Sequence, residues 1–270
     1  MRIAVTGATG KLGAVVAAYL QDAGHEVVGM DRVGERRDGF LFVDFADYGQ
    51  VVDALAGCDA VVHLAAIPAG GIAPESATFH NNMSSTFNVF QAARRVGIQT
   101  VVYASSETLL GIPFETPPPY LPVDEDYDSR PESMYAVVKH LEEELAQKLV
   151  RWDDSLSITA LRFSNVMVPA DYAGFADFTP ENRKWNLWGY IDARDAAQAV
   201  LLSLLRSKPG FDRFVIANSD TVLDVPTAQL LADYYPSIEV RRELGEFETL
   251  LSIDRARREL GYEPTFGWRA

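Results

Sequence analysis

The sequence holds one cysteine in 270 residues, Cys58, so no internal disulfide can form and a reducing, cytoplasmic compartment is the expectation. Cys58 precedes a strand pattern and reads as a small buried residue, not a nucleophile. Histidine is nearly as scarce. His25, His63, His80 and His140 show neither HxH nor HxxxH spacing, which gives no reason to expect a metal site. Long apolar runs are missing too: the longest, "AVLLSLL" at 199–205, is far too short to cross a bilayer. The apolar "RIAV" directly after Met1 leads us to expect no signal peptide. Positive charge is in deficit, with 24 basic against 38 acidic side chains and a net charge of -14. A nucleic acid or an anionic membrane would be repelled over most of such a surface, so neither is an expected partner.

What remains is the composition of an ordinary globular chain, 48% hydrophobic and 23% charged, long enough for one large domain or one domain with a small appendage. Apolar strand-like runs at 2–7, 25–31, 39–45, 58–66, 98–106, 157–166 and 213–218 alternate with helical patterns at 11–24, 47–57, 81–97, 133–146 and 192–207. Strands that are apolar at nearly every position and separated by helices predict an α/β fold, a parallel sheet covered on both faces. Two stretches break the rhythm. Residues 112–132 carry six prolines and many carboxylates; we expect a long ordered loop, kept solvated by its acids, that forms a mobile flank of a substrate cleft. Residues 169–190 are rich in aromatics, and Phe175, Phe178, Trp185 and Trp188 could wall that cleft or simply pack.

Chemistry enters with "VTGATGKLG", which closes the first strand run and opens the first helix. Gly7 permits a tight turn, Gly10 lets the backbone approach a pyrophosphate, and Gly13 allows close helix–strand packing, with the helix N-terminus facing the phosphates. Asp31 ends the second strand run eighteen residues after Gly13, where an acid hydrogen-bonds ribose hydroxyls and repels a 2′-phosphate; this favours NAD. Arg32, Arg36 and Arg37 follow closely and leave NADP possible. Asp44, at the end of the third run, either meets an adenine amine or caps the next helix. Further on, "SMYAVVKHLEEELA" sets Tyr135 four places ahead of Lys139, on one helix face, where a cation can lower the phenol's pKa.

Taken in order, TGATGKLG, Asp31, "VVHLAA", Asn82, "YASSETLLG", YAVVK and "LRFSN" resemble the extended short-chain dehydrogenases/reductases, the NAD(P)-dependent epimerase/dehydratase family, from Met1 to about residue 218. The resemblance implies a Rossmann-type doubly wound parallel sheet. Residues 1–165 would form the dinucleotide-binding domain, with 187–218 returning to it, while 166–186 and 219–270 would form a small substrate-binding region. It implies Tyr135 as catalytic acid/base, Lys139 holding the nicotinamide ribose and, with the cationic nicotinamide, lowering the tyrosine's pKa, and Ser106 orienting the substrate oxygen. Cofactor contacts would come from Gly7, Thr9, Gly10, Lys11, Leu12, Gly13, Asp31, Arg32, Asp44, Phe45, Leu64, Ala65, Ala66, Asn82 and Phe163, besides Tyr135 and Lys139. Substrate contacts would come from Ser106, Glu107, Thr108 and Asn165.

Departures from the family pattern matter as well. Leu110 stands where a tyrosine is common. In the segment Ser105–Ser106–Glu107–Thr108, Thr108 cannot abstract a carbon-bound proton as the dehydratases' glutamate does. The chain is similar in length to uronate dehydrogenases of this family, but the Glu107 carboxylate would disfavour an anionic sugar acid. The expectation is therefore an oxidoreductase acting on a sugar or sugar derivative. The rivals are an epimerase with the same triad and, from another class, a cofactor-sensing regulator. The family also implies a homodimer paired through two helices, with Phe87, Phe90, Leu145 and Leu149 as candidate contacts or, equally, internal core.

Overall fold

The computed structural model describes residues 1–269. Seven strands form one fully parallel sheet: β1 (Arg2–Thr6), β2 (Glu26–Asp31), β3 (Phe40–Phe42), β4 (Ala60–His63), β5 (Thr100–Ser106), β7 (Ser157–Phe163) and β10 (Gly210–Ile216), ordered β10-β7-β5-β4-β1-β2-β3. Val5 of β1 lies beside both Gly29 and Val62, so the strand order reverses direction between β1 and β4. At such a switch point the connections leave in opposite directions and open a crevice at the carboxyl ends of the strands.

The helices lie on both faces, as the continuously apolar strands require. On one face are α1 (Lys11–Asp22) and α6 (Ala193–Arg206); on the other are α2 (Tyr48–Leu55), α3 (Glu75–Val96) and α4 (Met134–Trp152). Local signals fix their ends. Asp47, Ser133 and Asp192 each accept a backbone N–H at the start of α2, α4 and α6, and Gly97, at φ 86°, closes α3 in the left-handed conformation that glycine adopts without strain. The remaining elements gather beyond the strand ends. These are the pairs β6 (Tyr120–Leu121) with β11 (Glu239–Val240) and β8 (Val166–Met167) with β9 (Ile191–Asp192), together with α5 (Pro180–Arg183), α7 (Thr227–Tyr234) and α8 (Asp254–Leu260). No described helix is long and apolar enough to cross a membrane.

The fold class is as the sequence predicts, but several finer expectations are corrected. The third strand run pairs only over Phe40–Phe42, because it is the sheet edge and Leu41 and Phe42 face solvent. Helix α3 begins at Glu75, six residues before the predicted start, immediately after Pro74. The segment 112–132 is not uniformly solvated. It inserts β6 beside β11, buries Leu121, Val123 and Tyr127, and hides Glu125, whose Oε1 accepts the Val215 amide at 2.7 Å. Phe175 and Trp188 belong to the core; Trp188 is fully buried and its indole N–H donates to the Pro180 carbonyl at 2.8 Å. Phe90 and Leu149, candidates for a dimer contact, are also core residues, packed between α3, α4 and the sheet; Phe87 is exposed and Leu145 half-buried.

Candidate active site

A cavity of about 580 Å³ opens at the switch point, and most of the predicted site lines it. One end is built from the turn after β1. Gly7, Thr9, Gly10, Lys11, Leu12 and Gly13 form its floor, with Asp31, Arg32, Asp44 and Phe45 on one side and Leu64, Ala65 and Ala66 on the other. The other end holds Ser106, Glu107, Thr108, Tyr135, Lys139, Phe163, Asn165 and Trp185. Asn82 is the exception. It stands behind the wall, donating to the Ile67 carbonyl at 3.0 Å and accepting the Ile67 amide at 2.8 Å, and so pins the segment that follows β4. Its neighbour Asn81 lines the cavity instead, as does Ser85 one turn on; sequence reasoning missed both, though Ser85 follows Asn81 at i, i+4 on one helix face.

The glycine turn fits a dinucleotide on steric grounds. A Cβ on Gly13 would lie 2.0 Å from the Gly7 carbonyl oxygen, and one on Gly7 would lie 2.8 Å from the Ala65 nitrogen, so side chains are excluded at both. Gly10 begins α1 with no side-chain cap, and no acid sits in the helix's first turn. Its free amides and positive dipole end therefore face the cavity, an arrangement suited to phosphate. A second sign is the Ser85 hydroxyl, buried at the cavity wall with no partner. Asp31 is held in place: its Oδ2 accepts the Thr9 amide at 3.1 Å and the Thr9 hydroxyl at 2.6 Å. Asp44 does not cap α2. Asp47 does so, accepting the Gln50 amide, while Asp44 Oδ1 accepts the Ala46 amide at 3.1 Å and stays at the cavity edge. Of the three arginines only Arg32 lines the cavity, and Arg37 stacks on Phe40 with its guanidinium 4.9 Å from the ring centre.

At the other end, Lys139 is 3% exposed and its Nζ lies 5.8 Å from the centre of the Tyr135 ring. Nζ donates to the Ala104 carbonyl at 2.8 Å and to Glu142 Oε2 at 2.9 Å, which leaves one N–H for the cavity. Lys139 pulls the Tyr135 pKa down, as expected, but burial outweighs that pull and Glu142 adds to the burial effect, so the phenol stands above its ordinary value. Ser106 Oγ accepts the Thr108 amide at 3.1 Å and the Thr108 hydroxyl at 2.9 Å, so it both caps a short 3-10 turn and faces the cavity. Glu107 is buried, with Oε2 accepting the Ser164 hydroxyl at 2.5 Å and Oε1 accepting Asn186 Nδ2 at 3.2 Å. Burial raises its pKa to about 7 against these hydrogen bonds and against Arg183. Arg183 is clamped between the Phe178 and Trp185 rings at 4.7 and 4.9 Å and donates to the Gly189 carbonyl at 3.0 Å. Below the cavity, Glu143 accepts Arg162 Nε at 2.9 Å and Nη2 at 2.8 Å, a two-point pair that ties α4 to β7. No group of His, Cys, Asp or Glu among the described residues could hold a metal ion.

The model of the NAD dependent epimerase/dehydratase family matches residues 3–217. Among similar proteins, the UDP-glucose 4-epimerase of Bacillus subtilis is 28% identical over an alignment 183 residues long that covers 61% of this chain and 52% of that enzyme. The L-arabinose 1-dehydrogenase (NAD(P)(+)) of Haloferax volcanii is 34% identical over an alignment 148 residues long that covers 51% of this chain and 57% of that enzyme. These two matches span only about half the length of either relative. A crystal structure of a UDP-galactose 4-epimerase is 28% identical and superposes with a TM-score of 0.71, covering 98% of this chain and 94% of that one.

Proposed function

This chain belongs to the NAD-dependent epimerase/dehydratase family, and from that premise we propose an NAD-dependent oxidoreductase that acts on a hydroxyl or carbonyl of an uncharged sugar. The observation that carries this reading is the convergence of Ser106, Tyr135 and Lys139 at one end of a cavity whose other end is the glycine turn. Gly7 to Gly13 and the α1 N-terminus would hold the pyrophosphate, Asp31 a ribose, and Lys139, through its remaining N–H, the second ribose. When bound, NAD supplies the redox capacity at its nicotinamide ring. Tyr135 takes the proton from the substrate hydroxyl, or returns it to the carbonyl oxygen, and Ser106 orients that oxygen. Lys139 and the positive ring of oxidised NAD favour the phenolate, which offsets the burial that raises the phenol in the ligand-free site. Asp31 faces the adenosine side with its charge and favours NAD over NADP.

The substrate end supports a neutral sugar. Its lining offers Ser106, Glu107, Thr108, Ser164 and Asn165 as hydrogen-bonding groups and Trp185 as an apolar face. The cations that line the cavity are Lys11 at the glycine turn and Arg32 after β2, both at the cofactor end, and Lys139. A sugar carried on a diphosphate would thus find no cation at the substrate end besides Lys139, which the second ribose and Glu142 engage, and an acidic sugar would meet Glu107 wherever that carboxyl is ionised, above about pH 7. A sugar epimerase is the second reading, favoured by the likeness to the UDP-galactose 4-epimerase across nearly the whole of both chains. Dehydration is disfavoured by Thr108, and a cofactor-sensing regulator by the presence of both Tyr135 and Lys139. We place the cofactor in 1–165 with 187–218 and the substrate against 166–186 and 219–270. We also propose a cytoplasmic homodimer paired through α3 and α4, its contacts reduced to Phe87 and Leu145 now that Phe90 and Leu149 lie in the core.

Following reduced-nicotinamide absorbance with NAD and a panel of neutral aldoses, uronates and nucleotide sugars tests the reading. Net reduction with an aldose is expected. Interconversion of a nucleotide sugar without net reduction would replace the dehydrogenase by the epimerase.

A further inference from the structure

Tyr135 and Lys139 stand at one end of a buried hydrogen-bonded chain that the proposed chemistry does not use. Glu142, on α4 three residues after Lys139, is fully buried. Its Oε2 accepts Lys139 Nζ at 2.9 Å and its Oε1 accepts the Thr86 hydroxyl of α3 at 2.8 Å. Thr86 Oγ1 lies 3.1 Å from His63 Nε2, and His63 Nδ1 lies 2.8 Å from Thr6 Oγ1. Thr6 Oγ1 also accepts the amides of Leu64 and Ala65, at 3.0 and 3.1 Å.

Donor and acceptor counting gives this chain one direction. Thr86 has a single hydroxyl proton, and a carboxylate can only accept, so that proton goes to Glu142 and His63 Nε2–H must donate to Thr86. Burial, with help from Lys139, lowers the His63 pKa to about 3, so the ring is neutral and its Nδ1 accepts from Thr6. Every donor from the end of β1 through β4 and α3 therefore points toward Glu142. The chain delivers no proton; burial raises the Glu142 pKa, and Lys139 and the Thr86 hydroxyl oppose that rise and favour the carboxylate.

We infer that Glu142 is a positioning residue that sets the acidity of Tyr135, by fixing the Lys139 ammonium and cancelling part of its field at the phenol. The other charged groups around this pair leave that effect uncancelled. On α4 itself Glu143 is matched by Arg162 of β7 at 2.8 Å and approached by Arg213 of β10 at 4.0 Å. His63 of β4 is neutral, Tyr103 of β5 is kept protonated by burial, and Glu107 beyond β5 titrates near 7. Glu142 is thus the anion that opposes Lys139 directly, and both the Lys139 and the Tyr135 pKa stand higher for its presence.

The inference rests on Tyr135 as the acid/base, and the test separates the two. Glu142→Gln, Glu142→Asp and Thr86→Val are each made with and without Tyr135→Phe. Two quantities are read: the pH profile of sugar oxidation at saturating NAD, and the titration of phenolate absorbance without cofactor, taken as the difference from the matching Tyr135→Phe protein. In Glu142→Gln the rising limb and the phenolate midpoint both move to lower pH. One pH unit below the wild-type midpoint, the rate relative to plateau then rises roughly threefold or more, as expected for loss of one nearby charge. Glu142→Asp keeps the wild-type midpoint. Thr86→Val, which withdraws a hydrogen bond that keeps Glu142 ionised, moves it the same way by less and remains informative if Glu142→Gln does not fold. Unmoved midpoints in both readouts, with only rate or stability lost, would reduce Glu142 to a structural counter-ion. A Tyr135→Phe protein that still turns over would instead remove the acid/base assignment, while the phenolate titration would still report on Glu142.

Discussion

Replacing Glu107 by glutamine should stabilise the protein in mildly alkaline solution and change little in mildly acidic solution. Glu107 is buried, and burial lifts its pKa from an ordinary 4.5 to about 7. Between those values the folded protein keeps a proton that the unfolded chain has released. Unfolded chains bind fewer protons than folded ones there, so stability falls as pH rises. At about 1.4 kcal/mol per pH unit, the interval from 4.5 to about 7 corresponds to about 3 kcal/mol lost by pH 8. Glutamine has the shape of the protonated acid: its oxygen can accept from Asn186, and its amide can donate to the Ser164 hydroxyl in the reversed sense. Urea denaturation at about pH 5 and about pH 8 reads the difference. The variant should match wild type within about 0.5 kcal/mol at the lower pH and exceed it by about 2–3 kcal/mol at the higher. A difference that is the same at both pH values, or a variant less stable at the higher pH, would refute the idea that burial of the Glu107 charge outweighs its hydrogen bonds and Arg183.

Other perturbations probe the remaining parts of the site. Gly13→Ala should abolish NAD binding by calorimetry, because its Cβ would lie 2.0 Å from the Gly7 carbonyl oxygen and force the turn open. Asp31→Ala should narrow or reverse the preference for NAD over NADP, read as the ratio of the two dissociation constants; a wild-type preference for NADP would show that Arg32 dominates. Trp188→Ala should cost about 3–5 kcal/mol in denaturant unfolding, the usual range for emptying a buried aromatic site, since the indole is fully buried. A loss under about 1 kcal/mol would show that Trp188 faces the cleft after all.

How much of this was legible in the sequence depends on the range of the interaction. The glycine turn, the Asp31 position and the alternation of apolar strands with helices are local patterns, and the parallel sheet and the two ends of the cavity follow from them. The segment 112–132 misled because its prolines and acids describe a solvated loop, whereas Glu125 is buried by an amide of β10, ninety residues away. The aromatic stretch left both readings open for a similar reason: periodicity does not distinguish Trp185, at the cavity, from Trp188, in the core. An apolar stripe on α3 also reads alike whether it meets a partner or its own sheet, and Phe90 proved to meet Tyr103 of β5, with ring centres 5.2 Å apart. The sign of the Tyr135 shift needed three dimensions as well. The spacing from Lys139 was visible, but the depth of burial and the opposing charge of Glu142 were not.

The central claim is that Tyr135 moves the proton in a redox reaction on a sugar. The measurement that tests it most directly is steady-state oxidation of the best aldose by Tyr135→Phe, with NAD affinity measured on the same preparation. Loss of at least about a hundredfold in kcat is expected, the lower bound for a group that transfers a proton in the transition state, with the NAD dissociation constant changed by less than about threefold, because the ring and its packing remain. A variant that retains more than about a tenth of the wild-type rate with NAD binding intact would contradict the account.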